Sequence, residues 1–566
     1  MTNRRSFLKS LITAPVALAP ISHSFAQEID PNLKWDKEAD VIVVGFGGAG
    51  AAAAIASAQE GAKTLVLEKM PRGGGNTACA GGGFIIPKNA DDAFVYLKET
   101  FTLSDSDLEE ELVRAFCNEA VKTKEYFESL DKSIQLRKAG NANFPQLPCS
   151  ETIVKYAVKG PKTGGMNLFN ALKNVVEKQR TEIWYNAPAA KLLKKDNVIV
   201  GVQVRKDGKD LNVKANRGVI LTTGGYEYDH ESLQNYCQGT KVAGLGNPGN
   251  AGDGMKMAQA VGAKLWHMNA YSCPLGMTVP GLKTKVLWYP LTTGYVWVDQ
   301  DGKRFTNEGD LDFHSALYGV NKYDAVGHRY PAIPCYAVFD EQARLAAPLT
   351  HQRFGYATVI EGYKWDKDCA KEIEAGIVKK AATLKELASL INVPPKNLER
   401  TISQWNTDVK NGSDTNFGRR MKKVLTEKEK QAGIEARVLS TPIEKGPYYA
   451  VELVPALLNT QGGPKRNVNG QVLNALDEPI PHLFCAGELG SIWGTIYQGS
   501  SNIAECLVFG RIAGRQAAQT KNSYVPVCQL SKGIYLFKQK FHFLIRLLKA
   551  IRRITDQDSF KGTGLK

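Results

Sequence analysis

Two glycine-rich stretches near the start of the chain hold the residues with the clearest chemical consequence. In the first, Gly45-Phe46-Gly47-Gly48-Ala49-Gly50 follows four apolar residues, Val41 to Val44, and runs into an alanine-rich segment, Ala49 to Ala58. A glycine turn between a buried strand and a close-packing helix makes a phosphate cradle. Gly45 permits the tight turn, Gly47 lets the backbone approach a pyrophosphate, and Gly50 lets the helix pack on the strand with its positive end toward the anion. Glu68 then closes a second apolar run, Thr64 to Leu67, where a carboxylate suits the ribose hydroxyls of an adenosine. Such turns also occur where no nucleotide binds, but a second stretch follows: Glu68-Lys69-Met70-Pro71, then Gly73-Gly74-Gly75-Asn76-Thr77, then Ala80-Gly81-Gly82-Gly83. Nicotinamide sites rarely need it. A flavin does, because FAD is longer and a second loop must pass close to its pyrophosphate and ring.

On these residues the chain resembles the FAD-binding flavoproteins of the fumarate reductase and 3-ketosteroid dehydrogenase superfamily, over residues 38 to 518. The resemblance implies an α/β fold: a Rossmann-like FAD-binding domain, a parallel sheet with flanking helices, interrupted by an α+β capping domain. The expected order is a signal at 1–26, FAD-binding segments at 27–269 and 445–520 around a cap at 270–444, and a tail at 521–566. It implies FAD held by Gly45, Gly47, Gly48, Ala49, Gly50, Glu68 and Lys69 in the first loop and by Gly74, Gly75, Asn76, Thr77, Gly81, Gly82 and Gly83 in the second. Farther on it places Ala189 near the adenine, Thr223, Gly224 and Gly225 after the strand Val219 to Leu221, and Asp253 before the helix Met255 to Val261. Glu488 would hold the ribityl chain. Ser501, Asn502 and Ile503 would open a final helix whose N-terminus stabilises negative charge on the flavin. No Asp-x-x-Ser/Thr-Gly-Ala-Thr setting for covalent attachment occurs, so the FAD is expected to be non-covalent.

Dicarboxylate reductases of this superfamily grip substrate with two histidines and two arginines and protonate it with a third arginine. The matching positions here are Cys273, Leu291, Asp312, Asn459 and Tyr497, and none is cationic. Two carboxylates in a dry cavity without cations would cost several kcal/mol, about the penalty of unpaired buried charge, which argues against fumarate. Trp288, Tyr289, Tyr295 and Trp297 share the cap segment and read either as a wall for a flat apolar ligand or as strand packing. The 3-ketosteroid dehydrogenases place a tyrosine where Tyr497 stands, donating to a carbonyl oxygen, with a backbone N–H near Ser501 as second donor. Such an oxyanion hole is worth about 3 to 4 kcal/mol per donor. Asp312 would exchange the α-proton only if burial lifted its pKa, and His314 is the alternative.

The resemblance implies hydride transfer between flavin N5 and a carbon β to a carbonyl, in a ketosteroid-like or other enone. Rival readings are a reductase of an unsaturated acid held through Arg304 or Lys303, and a flavin electron carrier. Helices are expected within 91–131, at Leu384 to Leu398 and at Asn397 to Trp405. Arg4-Arg5-Ser6-Phe7-Leu8-Lys9, an apolar run and Ser24-Phe25-Ala26 read as a twin-arginine export signal, hence a periplasmic location. An exported flavoenzyme lacks NAD(P)H, so a separate cytochrome or quinol-linked partner is expected, and no Cys-x-x-Cys-His places haem in this chain. The net charge of +15 falls to +12 without the signal, and residues 530–566 hold +7 of that. Their basic amphipathic pattern suggests either a packed helix or contact with a membrane surface. The modest charge left on the body is no nucleic-acid footprint, and neither a zinc nor an iron-sulfur pattern appears.

Overall fold

Lys37–Val44 is the strand on which the cofactor half is built. Its last four residues are buried, as a β-branched run covered on both faces of a parallel sheet must be. It pairs in parallel with Thr64–Leu67 on one side and with the end of the long strand Lys209–Leu221 on the other. Glu182–Trp184 and Pro479–Cys485 extend the parallel set outward. Register puts Val44 beside Leu67 and Leu221, Leu67 beside Trp184, and Leu221 beside Cys485. The carboxyl ends of these strands therefore lie side by side, immediately before the first glycine turn, Glu68, Thr222 and Ala486. Ligands of open parallel sheets bind at such ends.

This is a computed structural model, and it describes residues 25–104, 106–237, 242–423 and 437–522. Most of the expected signal and the basic tail lie outside the described residues. Phe25 packs on the core and Ala26 begins a short strand, Ala26–Glu28, parallel to Ala189–Lys195. Ala189–Lys195, Val198–Lys206 and Lys209–Leu221 form an antiparallel meander that joins the parallel set. The alanine-rich helix, Gly48–Gln59, packs on the final helix, Ser501–Gln519, through small residues, and Ser57 Oγ donates to Gly514 O at 3.1 Å. The mixed α/β class is the one expected.

A second sheet of seven strands centres on Tyr448–Leu457, which pairs antiparallel with Cys335–Asp340, Val378–Ala381 and Leu275–Met277. That strand lies beyond the expected return to the cofactor segment at 445, and it is hydrogen-bonded into this second sheet. The chain rejoins the first sheet only with Gln471–Leu473 and Pro479–Cys485. The expected helix Leu384 to Leu398 is also two helices, Leu384–Leu390 and Pro395–Asn411. Pro394-Pro395 stops the first, and Pro395, whose missing N–H costs nothing at a helix start, opens the second. Trp288, Tyr295 and Trp297 are packed inside the hydrophobic core with the second sheet, Trp288 meeting Tyr295 edge to face at 5.5 Å, while Tyr289 is 39 % exposed. The packing alternative for these aromatics holds. Among the described residues no helix is long and apolar enough to cross a membrane.

Candidate cofactor and active site

A cavity of about 760 Å³ opens at the aligned strand ends. Its floor is the first glycine turn. Gly45 sits at φ +101°, and a Cβ on Gly50 would lie 2.0 Å from Gly45 O, so both positions exclude a side chain. The second loop is tied to the first by the Gly74 N–H, which donates to Phe46 O at 2.8 Å. Glu68 accepts from the N–H of Phe46 at 2.9 Å and of Met70 at 2.8 Å. Burial raises its pKa, and those N–H bonds hold the rise back. Lys69 pairs with Asp253 at 2.5 Å.

Of the positions expected to hold FAD, Gly45, Gly47, Gly48, Ala49, Glu68, Lys69, Gly75, Asn76, Thr77, Ala189, Thr223, Gly224, Asp253 and Glu488 line this cavity. The fit to a pyrophosphate-bearing dinucleotide is physical. Gly47 and Gly75 face each other as bare backbone, a Cβ on Gly75 falling 3.5 Å from Gly47 Cα, and Thr223 Oγ1 is buried with no hydrogen-bond partner. The remaining expected positions are not in the lining. Gly50 supports the turn from beneath, and Gly74 is spent on the contact with Phe46. Gly81 and Gly82 leave room for Phe354 and Gly164, which Cβ atoms there would meet at 2.1 and 2.0 Å, and Gly83 lies against Ser500. Gly225 gives its space to Thr460 and Glu227. Ser501 turns its N–H and its hydroxyl to Gln498 O, Asn502 donates to Gln461, and Ile503 packs on the core. The Ser501 N–H is thus already engaged, which corrects its reading as a second oxyanion donor.

Sequence reasoning missed Asn247, Gly249 and Asn250 in the lining, although the run Gly246 to Gly254 has the glycine and asparagine content of a close backbone approach. It also missed Glu227. Asn76 Nδ2 donates at 2.9 Å both to Glu227 and to Glu488. Nothing in the spacing of these three residues announces that they meet.

A second cluster gathers around Tyr497. Burial pushes the Tyr497 phenol well above its usual range, the nearby Ser272 hydroxyl partly opposes this, and Asp312 adds to it, so the hydroxyl stays a donor. Its ring meets the His314 imidazole at 5.1 Å. Cys273 N–H donates to His314 O at 2.8 Å, and Ser272 pairs with Asn459 across a short antiparallel ladder. Asn459 Nδ2 is buried without a hydrogen-bond partner, a polar group that a ligand would satisfy. Tyr497, Asp312, Cys273 and Asn459 are therefore brought together. Leu291 is not: it is 43 % exposed with its N–H on Pro348 O, and Trp288 stays in the core.

Asp312 requires correction as proton donor. Its carboxylate caps a short 3₁₀ turn, accepting from the N–H groups of His314 and Ser315 and from Ser315 Oγ at 3.0 to 3.1 Å. Burial acts to raise its pKa, but those bonds and the His314 imidazole outweigh it, leaving the group below its ordinary value. A carboxyl held ionised cannot serve as a general acid near neutrality. Arg304 is unsuited to a substrate carboxylate as well, being buried between Glu308 and Asp414 at 3.0 and 2.9 Å. The other buried arginines among the described residues, Arg419, Arg466 and Arg511, pair with Glu308, Glu505 and Glu119. One cation near the cluster was missed: Lys155, whose ammonium donates to Asn143 and interacts with Asp312, and whose pKa burial lowers.

Comparison with known proteins places the fold and the family. The chain is 25% identical over 517 residues to the NADH:fumarate oxidoreductase of Klebsiella pneumoniae (strain 342), covering 89% of this chain and 50% of that one, so it spans about half the length of that relative. It is 26% identical to the 3-oxosteroid 1-dehydrogenase of Mycolicibacterium smegmatis, covering 86% of this chain and 98% of that one. The fold matches the crystal structure of 3-ketosteroid Δ1-dehydrogenase from Sterolibacterium denitrificans with a TM-score of 0.72 at 21% identity, over 85% of this chain and 99% of that one. The family model described as FAD binding domain matches residues 40–503, and the chain belongs to that family.

Proposed function

We propose that this chain is an FAD-dependent oxidoreductase acting on a C=C or CH–CH bond next to a carbonyl, with a neutral enone or its saturated counterpart as substrate. Bound non-covalently in the cavity, FAD would supply hydride chemistry at the flavin ring. Gly45 to Ala49, Gly75 to Thr77 and Glu68 would hold its phosphates and ribose. The observation that carries the substrate reading is the buried Tyr497 hydroxyl, kept protonated by its surroundings, while the buried arginines among the described residues are each paired with a carboxylate. A donor that cannot ionise near neutral pH suits an oxygen that gains negative charge, and it is worth most where water is excluded. Asp312, ionised and 3.9 Å from His314 Nδ1, orients the imidazole against Tyr497, which moves the proton-exchange role from Asp312 to His314.

Lys155 favours a second reading, reduction of an unsaturated monocarboxylate, because its ammonium faces the same cluster. Reduction fed by a separate cytochrome or quinol-linked partner, export by a twin-arginine signal to the periplasm, and a membrane-surface contact by the basic tail complete the proposal; the order of motifs at residues 4 to 26 and the composition of 530–566 support them. The test is reoxidation of the chemically reduced flavoprotein by ketosteroids, simple enones, unsaturated monoacids and fumarate. Fast reoxidation by enones is expected. Reoxidation by monoacids alone, abolished in Lys155→Met, would replace the enone reading by the second.

A further inference from the structure

Glu227 is buried and Glu488 is half-buried in the cavity wall, and neither forms an ion pair with any lysine, arginine or histidine among the described residues. One amide group joins them: Asn76 Nδ2 donates to Glu227 Oε1 and to Glu488 Oε2, each at 2.9 Å, so those oxygens are no more than twice that distance apart. The orientation of the amide is set by its other end, where Oδ1 accepts from Asn247 N–H at 2.7 Å. Two ionised carboxylates this close, out of water and without a cation, repel each other and lose hydration together, and such a pair retains a proton. The two ends are not equivalent. Glu227 also accepts from Asn250 Nδ2 at 3.2 Å, whereas the structure gives Glu488 only the Asn76 donor, and Glu488 is the one that lines the cofactor cavity.

We propose that Glu227 and Glu488 hold a single proton between them across Asn76, residing on Glu488, so that Glu488 meets the cofactor as a neutral carboxylic acid that donates a hydrogen bond. This rests on the assignment of the cavity to FAD and not on the choice of substrate. The surrounding titratable groups reinforce the retention. Glu505 on the final helix is neutralised by Arg466, while Cys79, Cys237, Cys506, Tyr226, Tyr228 and Tyr497 are raised by burial and stay uncharged near neutrality. In agreement, burial and then the charge of Glu227 place Glu488 well above the usual carboxylate range, and burial brings Glu227 to about 7 against the pull of its amide donors.

The experiment is infrared difference spectroscopy of the purified holoprotein at pH 8, where Glu227 is ionised, wild type against Glu488→Gln and Glu227→Gln, with flavin content and affinity measured on each. Wild type should show a deuterium-sensitive band of a protonated buried carboxyl that Glu488→Gln removes and Glu227→Gln leaves. Glu488→Gln, whose amide still donates, should bind FAD within about threefold of wild type. A wild-type minus Glu488→Gln spectrum with no protonated-carboxyl band would overturn the proposal, as would a band lost only in Glu227→Gln. A wild type that binds no FAD would instead sink the cofactor assignment, while the same spectra on the flavin-free protein would still decide the proton.

Discussion

Tyr497→Phe removes one hydroxyl and almost no volume from a buried site, so fold and flavin content should survive it. If the hydroxyl stabilises developing charge on a carbonyl oxygen, enone turnover should fall about a hundredfold or more with a smaller change in KM, the pattern of an interaction stronger in the transition state. Steady-state kinetics at full flavin occupancy measure this; near-normal turnover would return the unsaturated-acid reading to first place. Asp312 calls for the opposite outcome. Asp312→Asn keeps an acceptor for the His314 and Ser315 N–H groups and should retain turnover within about tenfold. Asp312→Ala should lose about 1 kcal/mol of stability in urea denaturation through the lost cap. A collapse of turnover in Asp312→Asn with structure intact would restore Asp312 as a catalytic residue.

At the scale of elements, the cap depends on a buried charge network. Glu308 receives Arg304 at 3.0 Å and Arg419 at 2.9 Å, and Asp414 takes Arg304 in a two-pronged bond at 2.9 and 3.0 Å, joining the segment at 414–419 to the strand Tyr295–Val298, whose Tyr295 O accepts from Arg419. Removing one partner leaves charge buried without compensation. Glu308→Ala should therefore cost about 3 to 5 kcal/mol, whereas Asp210→Ala, which breaks the exposed pair with Arg205, should cost far less. Chemical denaturation of Glu308→Ala and Asp210→Ala checks the contrast, and equal losses would refute it. The helices and strands of the cofactor half were legible from the alanine run, the β-branched runs and the glycine turns. The cap was read less well, since its central strand, Tyr448–Leu457, takes its place by pairing with residues far away in sequence.

For the whole molecule, the buried Glu227 ties stability to pH. Folded and without flavin it keeps its proton up to about pH 7, whereas unfolded it releases it near its ordinary value of 4.5. Between those limits the folded state binds the extra proton, so its contribution to stability falls as pH rises, by at most about 1.4 kcal/mol per pH unit, and levels off above neutrality. Urea midpoints of flavin-free wild type and Glu227→Gln between pH 5 and 8 measure the difference; parallel profiles would show that Glu227 titrates as it does in the unfolded chain.

The sequence by itself determined the α/β class and most of the cofactor cradle, because phosphate binding at strand ends needs bare backbone at fixed offsets and Gly45, Gly47 and Gly75 carry that requirement in their identity. It also determined which matched positions lack cations, since Cys273, Leu291, Asp312, Asn459 and Tyr497 can be read off directly. Tertiary structure alone decided which of them face one another. Leu291 turns to the surface, Trp288 and Arg304 are absorbed by packing and ion pairing, and Gly81 and Gly82 make room for neighbours instead of a ligand. It alone brought Glu227 to Asn76 and Glu488, Lys155 to Asp312, and His314 to Tyr497. Burial and charge proximity arise from contacts across hundreds of residues, and no local spacing encodes them.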